Sequence, residues 1–197
     1  MSKEQDEFED LNKAESKENN INQAGLIKSD IDIQEFEEII KDIIENPSVI
    51  SLKEHLQHKH SSRYEHCYDV AYYTYVWCKR LGLDYISATR GAMLHDFYFY
   101  DWRNKGVEGQ KKFHAYRHPR IALNNACENF ELNELEKDII VKHMWPLTIS
   151  LPKYKESYIV TLVDKYCATK EFFSYYKYKK HLKNLSKINN KEKQDQK

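Results

Sequence analysis

The chain has 197 residues, 41% of them hydrophobic, with 31 basic and 31 acidic side chains and no formal net charge. That length suits one domain with a real core rather than two. The balanced charge excludes a global field for nucleic acid or an anionic membrane, so an acidic ligand must be held by local groups.

Residues 1–30 are rich in Glu, Lys, Asn, Gln and Ser. Such a composition cannot bury enough surface to offset ordering entropy, and a flexible acidic and polar tail is expected. From Ile31 the pattern changes. Ile33, Phe36, Ile39, Ile40, Ile43 and Ile44 recur at three- and four-residue spacing, predicting an amphipathic helix capped by Asp30 or Asp32 and ended by Asn46-Pro47. Ser48 to His58 reads as a shorter helix and Lys59 to Ser62 as a turn.

The next helix opens at Ser62, with Glu65 in capping-box spacing, and runs to Leu81, where Gly82 stops it. Val70, Tyr73, Val76 and Trp77 are expected in the core. His66 lies one turn before Val70 on the same stripe, where an unpaired imidazole is costly. A helix from Asp84 then carries Ala88, Ala92, Met93 and Leu94 into the adjacent pair His95-Asp96. Neighbouring helical residues point about 100° apart, so these two side chains meet at one point only around something small and electron-poor, such as a metal ion.

Phe97 to Lys112 shows no regular period and reads as a loop that could cover a pocket. His118 precedes Pro119, which fits the first turn of a helix running to about Phe130. Asn133 caps a helix from Glu134 to Met144 that carries His143, and Pro146 ends it. In the last helix, from about Glu156, Asp164 lies inside an apolar run and needs a cation or strong donor nearby. The basic remainder reads as a solvated helix fraying into a tail. Strand-like alternation is nearly absent, so the expectation is an all-α fold: one helical domain over 31–178, with disordered or frayed tails at 1–30 and 179–197.

Cys67, Cys78, Cys127 and Cys167 form no C-x-x-C pair and read as buried free thiols, in keeping with a reducing compartment. No apolar run approaches the roughly 20 residues of a bilayer span, and the acidic N-terminus lacks an apolar signal core. A soluble, cytoplasmic protein is expected.

The order His66, His95-Asp96 and a late Asp164, in the contexts EHCYDVAYY, GAMLHD and VTLVDKYCA, resembles the HD-domain superfamily of metal-dependent phosphohydrolases over about His55 to Phe173. The resemblance implies that His66, His95, Asp96 and Asp164 ligate a first divalent ion. It also implies that His118 and His143 complete a binuclear site bridged by Asp96. His114, one turn before His118, is an alternative ligand. One or two ions of iron, manganese or zinc are expected as cofactors, with Asp96 and His95 at the catalytic centre.

Two ions about 3.5–4 Å apart would lower the pKa of a shared water and neutralise phosphoryl oxygens. Arg63 is placed to grip a phosphate bidentately, with His60, Arg103, Lys105 and His114 as further substrate-binding candidates. The expected substrate is a small phosphate ester, a nucleotide or dinucleotide polyphosphate, with no nucleic acid or membrane partner. Two alternatives are a phosphodiesterase on a cyclic or linear dinucleotide and a non-catalytic metal-binding sensor or scaffold. Asp96 is followed by Phe97-Tyr98-Phe99-Tyr100 rather than by the lysine found in some phosphodiesterase branches, and the Gly-Tyr-Pro signature of the cyclic-di-guanylate branch is absent. Both absences disfavour that substrate.

Overall fold

A computed structural model describes residues 32–58, 61–100 and 110–195. The expected tail at 1–30 lies outside the described residues, as do His60, Arg103 and Lys105. Asp32 caps the first helix, α1 (Ile33–Ile39), its carboxylate accepting from the N–H groups of Gln34 and Glu35 at 2.9 and 3.1 Å. The single helix expected up to Asn46 is broken at Ile40 and resumes as α2 (Lys41–Ile44). Phe36, Ile40 and Ile43 all reach the core across this turn. Asn46 caps α3 (Pro47–Ile50), with Pro47 in the first turn.

The helix expected through His58 ends sooner. A 3₁₀ turn at Ser51–Glu54 gives way to β1 (Leu56–His58), which pairs antiparallel with β2 (Ser61–Ser62). The carbonyl of His55 accepts from the N–H of Arg63 at 2.7 Å, which holds the chain extended there. Ser62 and Glu65 form the expected capping box at the start of α4 (Arg63–Arg80), and Gly82 beyond its end has φ +63°, favoured only by glycine. The buried face of α4 runs through His66, Cys67, Val70, Ala71, Thr74 and Cys78. Tyr73 and Trp77 lie on its margin, and Trp77 is 57% exposed, contrary to its expected core position.

Asp84 caps α5 (Tyr85–Leu94), the central helix, which packs along α4. A Cβ on its Gly91 would lie 3.1 Å from Ile139 Cδ1 and 3.2 Å from Glu136 Cα, so the missing side chain sets how closely α5 approaches the helix bearing those residues. The helix expected to begin at Pro119 starts earlier: α6 spans Gln110–Asn129 with Pro119 inside it. The preceding residues include the helix formers Gln110, Lys111, Lys112 and Ala115, which extend the helix across the one position that lacks a donor. Cys127 on α6 is exposed, unlike the other three cysteines, although all four are free as expected.

Asn133 and Glu136 form a second capping box on α7 (Glu134–Lys142). The Glu136 carboxylate also accepts from Nε of Arg90 at 3.0 Å, and Arg90 continues to Asp42 and the Ile39 carbonyl. One arginine thereby ties α5 to α7 and to the α1–α2 turn. The last helix, α8, runs unbroken over Lys155–Asp195.

Contacts group Asp30–Ala168 into one compact unit that carries His66, His95, Asp96, His118, His143 and Asp164. A second unit comprises 1–29 and 169–197. Its described residues are helical, with Phe172, Phe173 and Tyr176 exposed. Beyond the short pair β1–β2, the described residues contain no strand, and the fold is all-α. No helix among them is long and apolar enough to cross a membrane.

Candidate metal centre

Five helices and their ends deliver six side chains to one place. His66 comes from the second turn of α4, His118 from the middle of α6 and Asp164 from α8, while His95 and His143 are the C-caps of α5 and α7. A helix end leaves carbonyls without an intrahelical donor, and both C-cap histidines use one of them. Nδ1 of His95 donates to the Ala92 carbonyl at 2.7 Å, and Nδ1 of His143 donates to the Ile140 carbonyl at 2.8 Å. A carbonyl only accepts, so Nδ1 carries a proton in both rings and both Nε2 atoms face inward. Bonds of this kind orient metal-binding imidazoles.

The ligand atoms fall into two triads, each with all three atoms within 4.8 Å of one another: His66, His95 and Asp96, and Asp96, His118 and His143. Asp96 belongs to both. Its Oδ1 lies 3.2 Å from His118 Nε2 and 3.6 Å from His143 Nε2, while its Oδ2 lies 3.8 Å from His95 Nε2. Asp164 adds a carboxylate to the first triad, with Oδ1 at 3.1 Å from His66 Nε2 and 3.8 Å from His95 Nε2. His118 and His143 bring their Nε2 atoms within 2.8 Å of each other, a contact that needs a proton or a cation between two lone pairs.

These atoms lie in the interior. His66, His95, Asp96, His118 and His143 are all buried. Burial pushes the Asp96 carboxyl up, but the imidazoles of His95, His118 and His143 outweigh it and hold the group well below the usual carboxylate range. Burial likewise raises Asp164, and the hydrogen bond from His66 with the nearby His95 brings it down to about 2. Burial disfavours a charged His95, yet Cys67, Asp96 and Asp164 raise it to about 9. Burial, with His118 and His95 alongside, lowers His143 to about 3.

The donor set fits a divalent cation. Nε2 of His95 is buried with no hydrogen-bond partner among the described residues, which is costly unless an ion takes the lone pair. Nitrogen and oxygen donors without thiolate suit iron, manganese or zinc.

The substrate-binding candidates are placed differently. Arg63 opens α4 fully buried. Its guanidinium donates to the carbonyls of Tyr98 and, at 3.3 Å, Tyr100, and packs 3.6 Å from the centre of the Tyr98 ring. His114 lies on α6 one turn before His118, and its side chain lies outside the described ones. Two neighbours of the centre escaped the sequence reading. Tyr98 sets its ring 5.5 Å from that of His118, and Lys165 donates to the carbonyls of Thr161 at 3.1 Å and His143 at 3.4 Å. Their only signals were adjacency, Tyr98 within the aromatic run after the pair and Lys165 beside Asp164.

Neither the curated proteins nor the solved structures contain a match to the chain. The family model described as HD domain matches residues 63–169, a stretch that opens at the first residue of α4 and holds all six of the side chains gathered here. With more than half of the chain inside that match and the histidine-aspartate pair at the meeting point of both triads, the protein belongs to the HD-domain superfamily of metal-dependent phosphohydrolases.

Proposed function

We propose that this protein hydrolyses the phosphate ester of a small molecule, a nucleotide or dinucleotide polyphosphate, using two divalent ions held by the two triads. The observation that carries the reading is the sharing of Asp96 between them, which lets one carboxylate serve both ions. Bound divalent ions supply Lewis acidity, neutralising phosphoryl charge and lowering the pKa of water.

The chain's own residues do the rest. His66, His95 and Asp164 with Asp96 make one half of the centre, and His118 and His143 with Asp96 make the other. The Nδ1 bonds to Ala92 and Ile140 keep the lone pairs of His95 and His143 aimed before any ion arrives, so little reorganisation is needed on loading. Burial of the ligand atoms limits solvent screening and strengthens every electrostatic contact made there. Two carboxylates balance only half the charge of two divalent ions, so the loaded centre is cationic and favours an anionic substrate. Arg103, Lys105, His60 and His114 are our candidates for contacts to its outer phosphates. Four free cysteines accord with a reducing, cytoplasmic setting.

The test is a screen for phosphate and nucleotide release. Protein purified without chelator and supplemented with manganese is offered mononucleotides, dinucleoside polyphosphates and cyclic dinucleotides, with Asp96→Ala as control. Turnover of a mononucleotide or dinucleotide polyphosphate that disappears in Asp96→Ala is expected. Cleavage of cyclic or linear dinucleotides alone would favour the phosphodiesterase. Ion binding without turnover of any substrate would leave a sensor or scaffold.

A further inference from the structure

A buried guanidinium beside a metal centre is available for phosphate binding only if its donors point into the site. Two of those of Arg63 go to the backbone of the segment that follows the histidine-aspartate pair, at the carbonyls of Tyr98 and Tyr100. The same guanidinium lies flat enough on the Tyr98 ring to bring its central carbon 3.6 Å from the ring centre. The Tyr98 ring is itself fully buried and neighbours the His118 ring, with centroids 5.5 Å apart. Arg63, Tyr98 and His118 therefore form a continuous row of contacts, here called the stack although the two rings are tilted by 50°, from the first residue of α4 to the histidine on α6.

Each layer of the stack limits the next. A cation on an aromatic face is attracted more strongly when desolvated, and two carbonyl bonds fix its position in the ring plane's neighbourhood. Tyr98 is thus gripped through both its side chain and its own carbonyl. His118, in turn, comes from a helix interior, whereas His95 and His143 are C-caps.

We propose that Arg63 is a positioning residue for the second ion: acting through Tyr98, it sets the orientation of His118 and hence the affinity of the triad of Asp96, His118 and His143. The proposal rests on the two-ion reading above. The triad of His66, His95 and Asp96 with Asp164 meets this stack at Asp96, whose Oδ1 lies 3.2 Å from His118 Nε2, but its His95 and Asp164 come from other helices, and its affinity is expected to change less than that of the second triad.

The experiment is a manganese titration of the full chain, following bound metal by elemental analysis and ion–ion coupling by electron paramagnetic resonance. Parent protein is compared with Arg63→Lys, Tyr98→Leu, Tyr98→Phe and His118→Ala, with circular dichroism reporting the fold. Arg63→Lys and Tyr98→Leu should weaken the first ion less than the second and bind the second roughly tenfold or more weakly, losing the coupled spectrum. Tyr98→Phe keeps the ring and should behave as the parent. Two ions at parental affinity in folded Arg63→Lys would overturn the proposal, as would equal weakening of both ions in that variant. Should Tyr98→Leu fail to fold, Arg63→Lys decides. A parent that binds one ion, unchanged in His118→Ala, would instead defeat the two-ion reading itself.

Discussion

The rings of His95 and His143 meet edge to face with centroids 4.9 Å apart, each at the C-terminus of its own helix and each donating Nδ1–H to the carbonyl three residues earlier. The two helix ends are thus built alike, and an ion held by Asp96, just past α5, and by His143 would tie α5 to α7. Metal should therefore stabilise the fold: manganese at about one hundred times its dissociation constant is expected to add about 2.7 kcal/mol for each site filled. Thermal unfolding with and without chelator measures this. The increment should shrink in His143→Ala and vanish in Asp96→Ala, since Asp96 faces both triads.

The approach of α5 to α7 depends on Gly91. An added methyl would meet the Glu136 backbone at 3.2 Å and the Ile139 side chain at 3.1 Å, and backbone cannot step aside as a flexible side chain can. Gly91→Ala should destabilise the protein by about 1–3 kcal/mol and weaken metal binding, because it pushes apart the helices that end in His95 and His143. Urea unfolding and a metal titration read the two effects. Parental values in both would show that the helices give way without cost.

Glu136 does two jobs with one carboxylate. It accepts from the Asn133 N–H at 2.8 Å as half of a capping box, and from Arg90 Nε at 3.0 Å. Glu136→Ala removes the cap partner and leaves a largely buried guanidinium with fewer acceptors, for an expected loss of about 1–3 kcal/mol. Glu136→Gln, which still accepts hydrogen bonds, should lose less. Equal midpoints for the two variants in urea would contradict this account.

Glu35 gathers Tyr75, Tyr85 and Lys79 around its carboxylate, and hydrogen bonds from Lys79, then Tyr75 and Tyr85, lower its pKa from 4.5 to about 2. A folded-state pKa below the unfolded one gives stability that is present above about pH 4.5 and lost as the pH falls towards 2. Glu35→Gln should therefore unfold at lower urea than the parent near pH 6, with the gap closing as the pH falls towards about 3. A gap independent of pH would mean that shape rather than charge carries the contribution.

Much of this protein could be read from local signals. Ser62 with Glu65, Asn133, and Gly82 mark helix ends through bonds confined to neighbouring residues, and each acts in the structure as its sequence position predicts. The all-α fold follows from the same local periodicity. His66 and Asp164 stand out in the same way, because a polar group on an apolar helical stripe is costly without a partner, whereas the full set with His95, Asp96, His118 and His143 is what the family resemblance implies.

Other features depended on contacts between distant segments. The strand pair after Glu54 arises where the bond from Arg63 to the His55 carbonyl overrides helical pattern, and the break at Ile40 interrupts a run whose spacing reads as one helix. The start of α6 at Gln110 overrode a proline that locally reads as a first turn. Trp77 and Cys127 are exposed because only the assembled helices determine where a buried face ends. Arg63 shows the division most plainly. Its charge and its place one turn before His66 are visible in the sequence, but the direction of its donors was settled by Tyr98 and Tyr100, thirty-five and thirty-seven residues away. Residue type and spacing are properties of the chain alone, whereas a side chain's partners belong to the packed fold. The sequence alone therefore determined which groups could hold an ion, and the tertiary structure decided that Asp96 stands where both triads meet.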